Sequence, residues 1–284
     1  MMKGQVVCLY LKNKGSAVRF CLWPLMLINI INYFIWQLKK IPRKTFAKKR
    51  YIETLNVRNP YRYYLFKELK DIYGSDTFSN KRILEIGPKD GEDTLRLQSL
   101  KPASITLIDL PLIKNENHHL NKYYKEFLKP NLDKLNVKSK LIFENFQYMK
   151  KKEYDELGTF DLIWFTGVLY HNPEQLKMLK KLYNLLSEEG VLVMETATTR
   201  NRKLMNQTAI EIEAGGQYHF PTRKAVHLLL KMIGFEEIYQ SKCFNRENYN
   251  KNNIRLAIIA KKKKNDVMGV YRDGYLYGES TSIS

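Results

Sequence analysis

Cysteine is scarce in this sequence, whose 284 residues include only three: Cys8, Cys21 and Cys243. Cysteines this far apart fit neither a disulfide framework nor a cysteine-based metal site, so we expect a reducing compartment. The five histidines show no ligand spacing, and the adjacent His118 and His119 would point to different faces of a helix or strand. We therefore predict no metal site, and the sequence shows no internal repeat and no catalytic triad.

Acidic residues are also few, with 29 Asp and Glu against 48 Lys and Arg, which gives a formal net charge of +19. A charge of this size favours a polyanion such as RNA, or an anionic membrane surface, as a partner. A composition biased towards Lys, Asn and Ile is the alternative explanation. Hydrophobic residues make up 44% of the chain, enough for a core. The length predicts one α/β domain with an extension.

The one long apolar run is residues 20–38, which has a tryptophan near each end and basic residues beyond it. Its length is close to the ~20 residues of a membrane-spanning helix, but Pro24, Asn29 and Asn32 interrupt it. A spanning helix, an interfacial helix and a helix that caps the following domain therefore all stay open. The run lacks the small-residue cleavage site of a secretory signal. Its positive flank predicts a cytoplasmic location, with membrane association through residues 20–38 as an alternative.

Residues 81–91 predict a buried strand that runs into a glycine turn at Gly87 and Gly91. Asp109 closes a second apolar run roughly 20 residues further on. A strand, a glycine turn, a helix and a second strand that ends in an acid form a nucleoside-binding pattern, in which the acid binds the ribose hydroxyls. Lys89 stands where a G-x-G-x-x-G turn needs its second glycine, which argues for a ligand without phosphates.

Further apolar runs alternate with helical patterns, as expected for a doubly wound sheet. Leucines at positions 176, 179, 182 and 186 predict a helix that Gly190 ends, and residues 197–218 are polar and suit a lid or an acceptor-facing loop. A helix is predicted over 221–233. The remaining predicted strands cover residues 140–143, 160–165, 191–196, 237–244 and 254–260, and the last two would form a hairpin.

This order of motifs, from Lys81 to about Lys263, resembles the class I S-adenosylmethionine (SAM) methyltransferases. The motifs at 167–171 and 195–196 are similar to those of the tRNA wobble-uridine carboxymethyltransferases and methyltransferases. Residues 218–222, 234–235 and 255–260 extend that similarity. The resemblance implies an α/β fold with a Rossmann-like seven-stranded sheet, mostly parallel with the last strand antiparallel, and an N-terminal helical extension. The predicted segments are 1–50 (basic and apolar extension, a candidate membrane-associated helix), 51–80 (helical preamble), 81–264 (SAM-binding domain) and 265–284 (flexible tail).

The resemblance also implies a SAM site at the carboxyl ends of the strands, where ligands of open α/β sheets bind. Glu85, Gly87 and Gly91 would contact the methionine part of SAM, and Asp109 would bind the ribose. The remaining residues expected to bind the cofactor are Glu144 and Asn145, beside the adenine, and Thr166 and Gly167, at the end of the fourth strand.

Tyr170 and His171 are the predicted catalytic residues. Tyr170 would hydrogen-bond the acceptor or a carboxylate on a modified cofactor, and His171 would act as a general base, with a helix cap as the alternative. In the tRNA wobble-uridine carboxymethyltransferases, the matching tyrosine and an arginine at the start of the last strand hold the extra carboxylate of carboxy-SAM, so Tyr170 and Arg255 are candidate substrate-binding residues. Residues 57–61 only loosely match that family's upstream Trp/Lys-rich segment. SAM is therefore the expected cofactor and carboxy-SAM the alternative.

Three functions follow as hypotheses. The first is a SAM-dependent methyltransferase for an oxygen or nitrogen acceptor, with a tRNA uridine as the preferred one. The second is an O-methyltransferase for a membrane-proximal small molecule, lipid or sugar, which residues 20–38 suggest. The third is a non-catalytic module that keeps the SAM fold for binding, which Lys89 suggests.

Overall fold

The computed structural model describes residues 60–114, 118–244 and 254–262. The helices are α1 (Pro60–Tyr73), α2 (Glu92–Gln98), α3 (His119–Tyr123), α4 (Lys129–Leu132), α5 (Lys151–Asp155), α6 (Gln175–Leu185) and α7 (Arg223–Ile233), with a π-helical turn at Tyr124–Leu128 and a 3₁₀ turn at Leu169–His171. The strands are β1 (Arg82–Ile86), β2 (Ser104–Asp109), β3 (Ser139–Phe143), β4 (Phe160–Thr166), β5 (Leu186–Ala197), β6 (Ile210–Ile212), β7 (His219–Pro221), β8 (Phe235–Gln240) and β9 (Arg255–Lys262).

Seven of these strands form one sheet in the order β3-β2-β1-β4-β5-β9-β8. The pairs among β1 to β5 are parallel, and β9 runs antiparallel to both β5 and β8. This arrangement confirms the predicted fold class, a mostly parallel seven-stranded sheet whose last strand is antiparallel. Parallel strands of this kind are buried on both faces and read as near-continuous apolar runs, which is why the sequence showed them clearly.

Successive side chains of the central strands point into two separate cores. Ile83 and Trp164 face a cluster that includes Leu65 and Leu69 of α1. Leu84 and its neighbours on the other face belong to a second cluster, which includes residues of α6 and α7. Helix α1, within the predicted preamble, is therefore part of the core. The first part of that preamble and residues 20–38 lie outside the described residues, and the segment boundaries stay predictions. Across the described ranges, no helix combines the length and apolarity needed to cross a membrane.

Several predicted boundaries were wrong. Helix α6 ends at Leu185 and not at Gly190, because Leu186 already pairs with Phe160 as the first residue of β5. Helix α7 begins at Arg223, since Pro221 belongs to β7. The predicted 197–218 loop contains β6, which forms a two-stranded hairpin with β7, and Ile210 pairs with Pro221. The strand predicted over 237–244 covers Phe235–Gln240.

Thr222 fixes the junction between this hairpin and α7. Its hydroxyl accepts a hydrogen bond from the Ala225 backbone N at 3.1 Å and donates one to the Gln207 carbonyl at 2.7 Å. The side chain is 1% exposed. Thr222→Ala should lower the free energy of unfolding by about 1–2 kcal/mol, because the helix loses its cap and the Gln207 carbonyl loses its donor. Urea unfolding measures this, and Thr222→Ser, which keeps the hydroxyl, should recover most of the loss. Equal losses in both variants would contradict the role of the hydroxyl.

Candidate active site

The predicted cofactor residues meet along one edge of the sheet, because the parallel strands end there together. The Gly87 N donates to the Ile108 carbonyl at 2.9 Å, and the Glu144 N donates to the Asp109 carbonyl at 2.9 Å. The Gly167 N donates to the Glu195 carbonyl at 2.8 Å. These bonds continue the strand ladders past the strand ends. Gly87, Asp109, Glu144 and Gly167 therefore line one continuous edge, here called the donor edge.

The glycine turn is built in the left-handed region of backbone space. Gly87 has φ +71°, and a Cβ placed on it would lie 2.7 Å from Cγ2 of Val168. Such a contact is shorter than any real one, so the turn packs directly against the loop that follows β4. Gly91 lies at the start of α2. Lys89, which suggested a non-catalytic module, has an exposed side chain and leaves the inner side of the turn to the backbone.

Asp109 ends β2 and keeps part of its carboxylate available. The Leu110 N donates to Oδ1 at 2.8 Å, and across the described ranges this is the carboxylate's one hydrogen bond. Burial raises the pKa of Asp109 above its usual value, and the Leu110 hydrogen bond opposes that shift. A carboxylate with a spare oxygen beside a glycine turn fits the ribose hydroxyls of a nucleoside. The residues present therefore suit the adenosine part of SAM.

Glu144 and Asn145 follow β3, but their side chains have local roles. Oε1 of Glu144 accepts from the Asn145 N at 3.2 Å, and Oδ1 of Asn145 accepts from the Gln147 N at 3.1 Å. Glu144 also lines a cavity of about 470 Å³ between the sheet and the α5 region. Their positions on the donor edge suit the adenine, and direct contact stays a prediction.

Glu85 lies inside the protein, one residue before the end of β1. Its side chain is 1% exposed, and Oε2 accepts a hydrogen bond from Oγ1 of Thr94 at 2.6 Å. Burial, together with the nearby Asp93 charge, raises the pKa of Glu85 to about 8. The structure thus places this side chain beneath α2, where it supports the glycine turn from behind.

A buried group of charges lies behind the donor edge, and two of its members, Arg62 and Asp93, were not predicted as site residues. Nη1 of Arg62 lies 2.9 Å from Oδ2 of Asp93, and its Nη2 lies 3.8 Å from Oε2 of Glu195. The same oxygen of Asp93 accepts from Nε1 of Trp164 at 3.1 Å. Glu195 in turn pairs with Arg255. In the sequence, Glu195 was noted only as part of a motif. Arg62 and Asp93 lie in helices, where a charged residue ordinarily faces solvent, so their burial could not be expected.

Lys181 is a second buried residue that sequence reasoning missed. It is 1% exposed, and its Nζ donates to the Gln147 carbonyl at 2.9 Å and to the Phe146 and Met149 carbonyls at 3.4 Å. Burial lowers the pKa of this amine to about 8. The side chain thereby fixes the loop that follows Asn145.

Tyr170 and Arg255 meet at a second place, a cavity of about 500 Å³ here called the acceptor cavity, and His171 lies beside Tyr170 without lining it. Tyr170 and Arg255 line it, with Cζ of Arg255 5.7 Å from the Tyr170 ring centroid. The His171 ring lies 4.1 Å from that of Tyr170. Partial burial and the Arg255 charge lower the pKa of His171, so its imidazole is neutral near pH 7. The cavity is also lined by Ala197, Thr198, Arg200, Glu211, Ile212, Glu213, Ala214, Tyr218, Phe220 and Ile254.

The predicted site residues therefore form two neighbouring groups. Thr166 ends β4, and its backbone carbonyl lies 3.5 Å from Nη2 of Arg62. Gly167 follows on the donor edge, and three residues later Tyr170 lines the acceptor cavity. The loop from Thr166 to His171 thus joins the two groups, as a site for transfer between two ligands requires.

Comparison with known proteins identifies the class. A family model described as a methyltransferase domain matches residues 58–240, more than half of the chain. The chain belongs to this family, and its fold is that of the class I SAM-dependent methyltransferases. A crystal structure of Burkholderia thailandensis 1,6-didemethyltoxoflavin-N1-methyltransferase covers 89% of this chain and 98% of its own, with a TM-score of 0.51 and 13% identity. A structural similarity at 13% sequence identity shows the fold alone.

Curated relatives are more similar in sequence. The tRNA U34 carboxymethyltransferase of Wolinella succinogenes is 28% identical over 162 residues, which is 56% of this chain and 53% of that protein. The enzyme of the same description from Nautilia profundicola is 27% identical over 161 residues, 56% of this chain and 49% of that protein. The chain thus spans about half the length of the curated relatives it matches.

Glu85 should make the stability of the protein depend on pH. Its pKa is 4.5 when unfolded and about 8 when folded, so the folded state binds the extra proton between these values. The free energy of unfolding should therefore fall as pH rises from about 5 to 8, because over this range the carboxyl ionises in the unfolded state but stays protonated in the folded state. Glu85→Gln, which imitates the protonated form, should show a weaker decline over that range. Denaturant unfolding at several pH values measures it, and parallel curves for the two proteins would contradict the assignment.

Asp109→Ala should weaken SAM binding at least tenfold, about 1.4 kcal/mol, because the ribose loses its carboxylate partner. Isothermal titration of the full chain measures this. Asp133→Ala, which removes an exposed carboxylate paired with Lys129, is the matched control and should bind SAM normally. Unchanged affinity in Asp109→Ala would remove this residue from the cofactor site.

Proposed function

We propose that the chain methylates a tRNA uridine with SAM as the methyl donor. The observation that carries the choice of acceptor is the sequence likeness to two tRNA U34 carboxymethyltransferases over 56% of the chain. The net charge of +19 supports a polyanionic partner. The acceptor cavity beside the donor edge supports an acceptor that reaches the site from the side of β5 and β9.

Each predicted cofactor residue except the buried Glu85 then has a role in binding. The backbone of the Gly87–Gly91 turn would hold the methionine part, Asp109 the ribose hydroxyls, and the Glu144 and Asn145 segment the adenine. Thr166 and Gly167 would close the donor site beside the acceptor cavity. SAM supplies a methyl group already activated on a sulfonium, so the protein mainly aligns the two ligands.

The acceptor cavity supplies orientation, and the adjacent His171 supplies a base. The Tyr170 hydroxyl would hydrogen-bond the acceptor, and the neutral imidazole of His171 would take the proton that an oxygen or nitrogen acceptor loses. Arg255 already has a carboxylate partner in Glu195, inside the protein. The loose match of residues 57–61 to the Trp/Lys-rich segment of the tRNA wobble-uridine carboxymethyltransferases supports ordinary SAM over carboxy-SAM as the donor.

The proposal predicts transfer of a labelled methyl group from SAM to a uridine of tRNA. The full chain would be incubated with tRNA from cells that lack it, and the digested nucleosides would be analysed by mass spectrometry. His171→Gln should lower kcat by roughly 100-fold or more, because the base is lost while the fold is kept. Transfer should also weaken steeply as salt rises.

Two results would contradict the proposal. Absence of label from all tRNA nucleosides would rule out tRNA as the acceptor. Label in a nucleoside other than uridine would show that the methylated base is not uracil. Binding of SAM, measured separately, tells a wrong acceptor from an inactive preparation.

A further inference from the structure

Three rings of the acceptor cavity form one continuous surface, here called the aromatic wall: Tyr170, Tyr218 and Phe220. The planes of Tyr170 and Phe220 differ by 13°, with centroids 5.9 Å apart. The planes of Tyr218 and Phe220 differ by 23°, with centroids 5.7 Å apart. At these centroid distances, nearly parallel rings are offset-stacked on one another. All three rings are only partly buried and line the cavity, so the part of their π surface that the neighbouring rings leave uncovered can contact a ligand.

The hairpin of β6 and β7 holds this wall in place. Tyr218 and Phe220 are two residues apart on an extended chain, so they project to the same side, and His219 between them projects to the other. His219 is 9% exposed, and its carbonyl accepts from Nε2 of Gln175 at 2.6 Å. The inward residue thus anchors β7 to α6, while the two outward rings face the cavity.

The lining of the cavity carries charges of both signs. Glu211 and Glu213 line it together with Arg200 and Arg255. A phosphate that entered would lose its water shell and would meet two carboxylates as well as two guanidinium groups, so no net charge of the lining offsets the lost hydration. A mixed set of carboxylates and guanidinium groups complements a ring edge that carries both an N–H and carbonyl oxygens. Uracil has one N–H between two carbonyls, and its faces are flat.

We infer that the aromatic wall binds the acceptor uracil by stacking, as an unpaired base, while the RNA phosphates stay outside the cavity. The identity of the base rests on the proposed function. Single-stranded RNA is commonly bound in this way, because an unstacked base exchanges its neighbours for aromatic side chains. Tyr218 and Phe220 are thereby assigned to acceptor specificity, a role separate from that of the donor edge.

The test compares two five-nucleotide RNAs, one of uridine and one of 5,6-dihydrouridine. Dihydrouracil keeps the N–H and both carbonyls but loses the flat conjugated ring, so its ability to stack is greatly reduced. The full chain should bind the uridine RNA about fivefold or more tightly, as measured by fluorescence anisotropy at fixed salt. This ratio should approach one in Tyr218→Leu and in Phe220→Leu. Tyr218→Phe should keep it, as should Tyr63→Leu, a matched control on the exposed surface of α1.

Equal binding of the two RNAs by the unmodified chain would overturn the inference, as would binding of neither. Preservation of the ratio in both leucine variants would overturn it too. The comparison on the unmodified chain needs no variant, so it decides even where a leucine variant does not fold. Tighter binding of the uridine RNA without methyl transfer to tRNA would reject the proposed function but would still support base stacking on the aromatic wall. Methyl transfer without discrimination would reject the wall alone.

Discussion

The guanidinium of Arg62 ties the protein together behind its active site. It pairs with Asp93 of α2 and lies 3.8 Å from Glu195 of β5, so one side chain from α1 reaches both the donor and the acceptor side. A Cβ on Gly167 would lie 2.9 Å from Nη2 of Arg62, which explains the need for glycine there. Burying such charges has a large desolvation cost that mutual pairing offsets. Removal of one partner would leave the others uncompensated, so α1 belongs to the catalytic unit and not to an appendage.

Much of the fold could be predicted from the sequence, because parallel strands buried on both faces give uninterrupted apolar runs. The predictions failed where pairing overrode local signals. Gly190 looked like the end of a helix, yet Leu186 had already entered β5. Strands of three residues, such as β6 and β7, are too short to show a period, and the alternation within them cannot be told from a polar loop.

The residues of the candidate site likewise divide into those that the sequence could indicate and those that it could not. Gly87, Asp109 and Gly167 were predicted as site residues because each lies at the end of a strand or directly after it, and topology alone brings parallel strand ends to one edge. Glu85 was expected to meet the cofactor, but its side chain points inward to Thr94. Arg62, Asp93 and Lys181 left no signal, because nothing local in the sequence tells a buried, paired charge from a solvated one. Such residues depend on partners that lie far away along the chain.

Within the described part of the chain, β6 pairs with β7 alone and not with the seven-stranded sheet. The hairpin carries Tyr218 and Phe220, whereas the donor edge is built entirely from the sheet and its loops. Exchange of the hairpin for one of different length or composition would leave the cofactor chemistry in place. Substitutions in the hairpin would therefore change the lining of the acceptor cavity without changing the strands that form the donor edge.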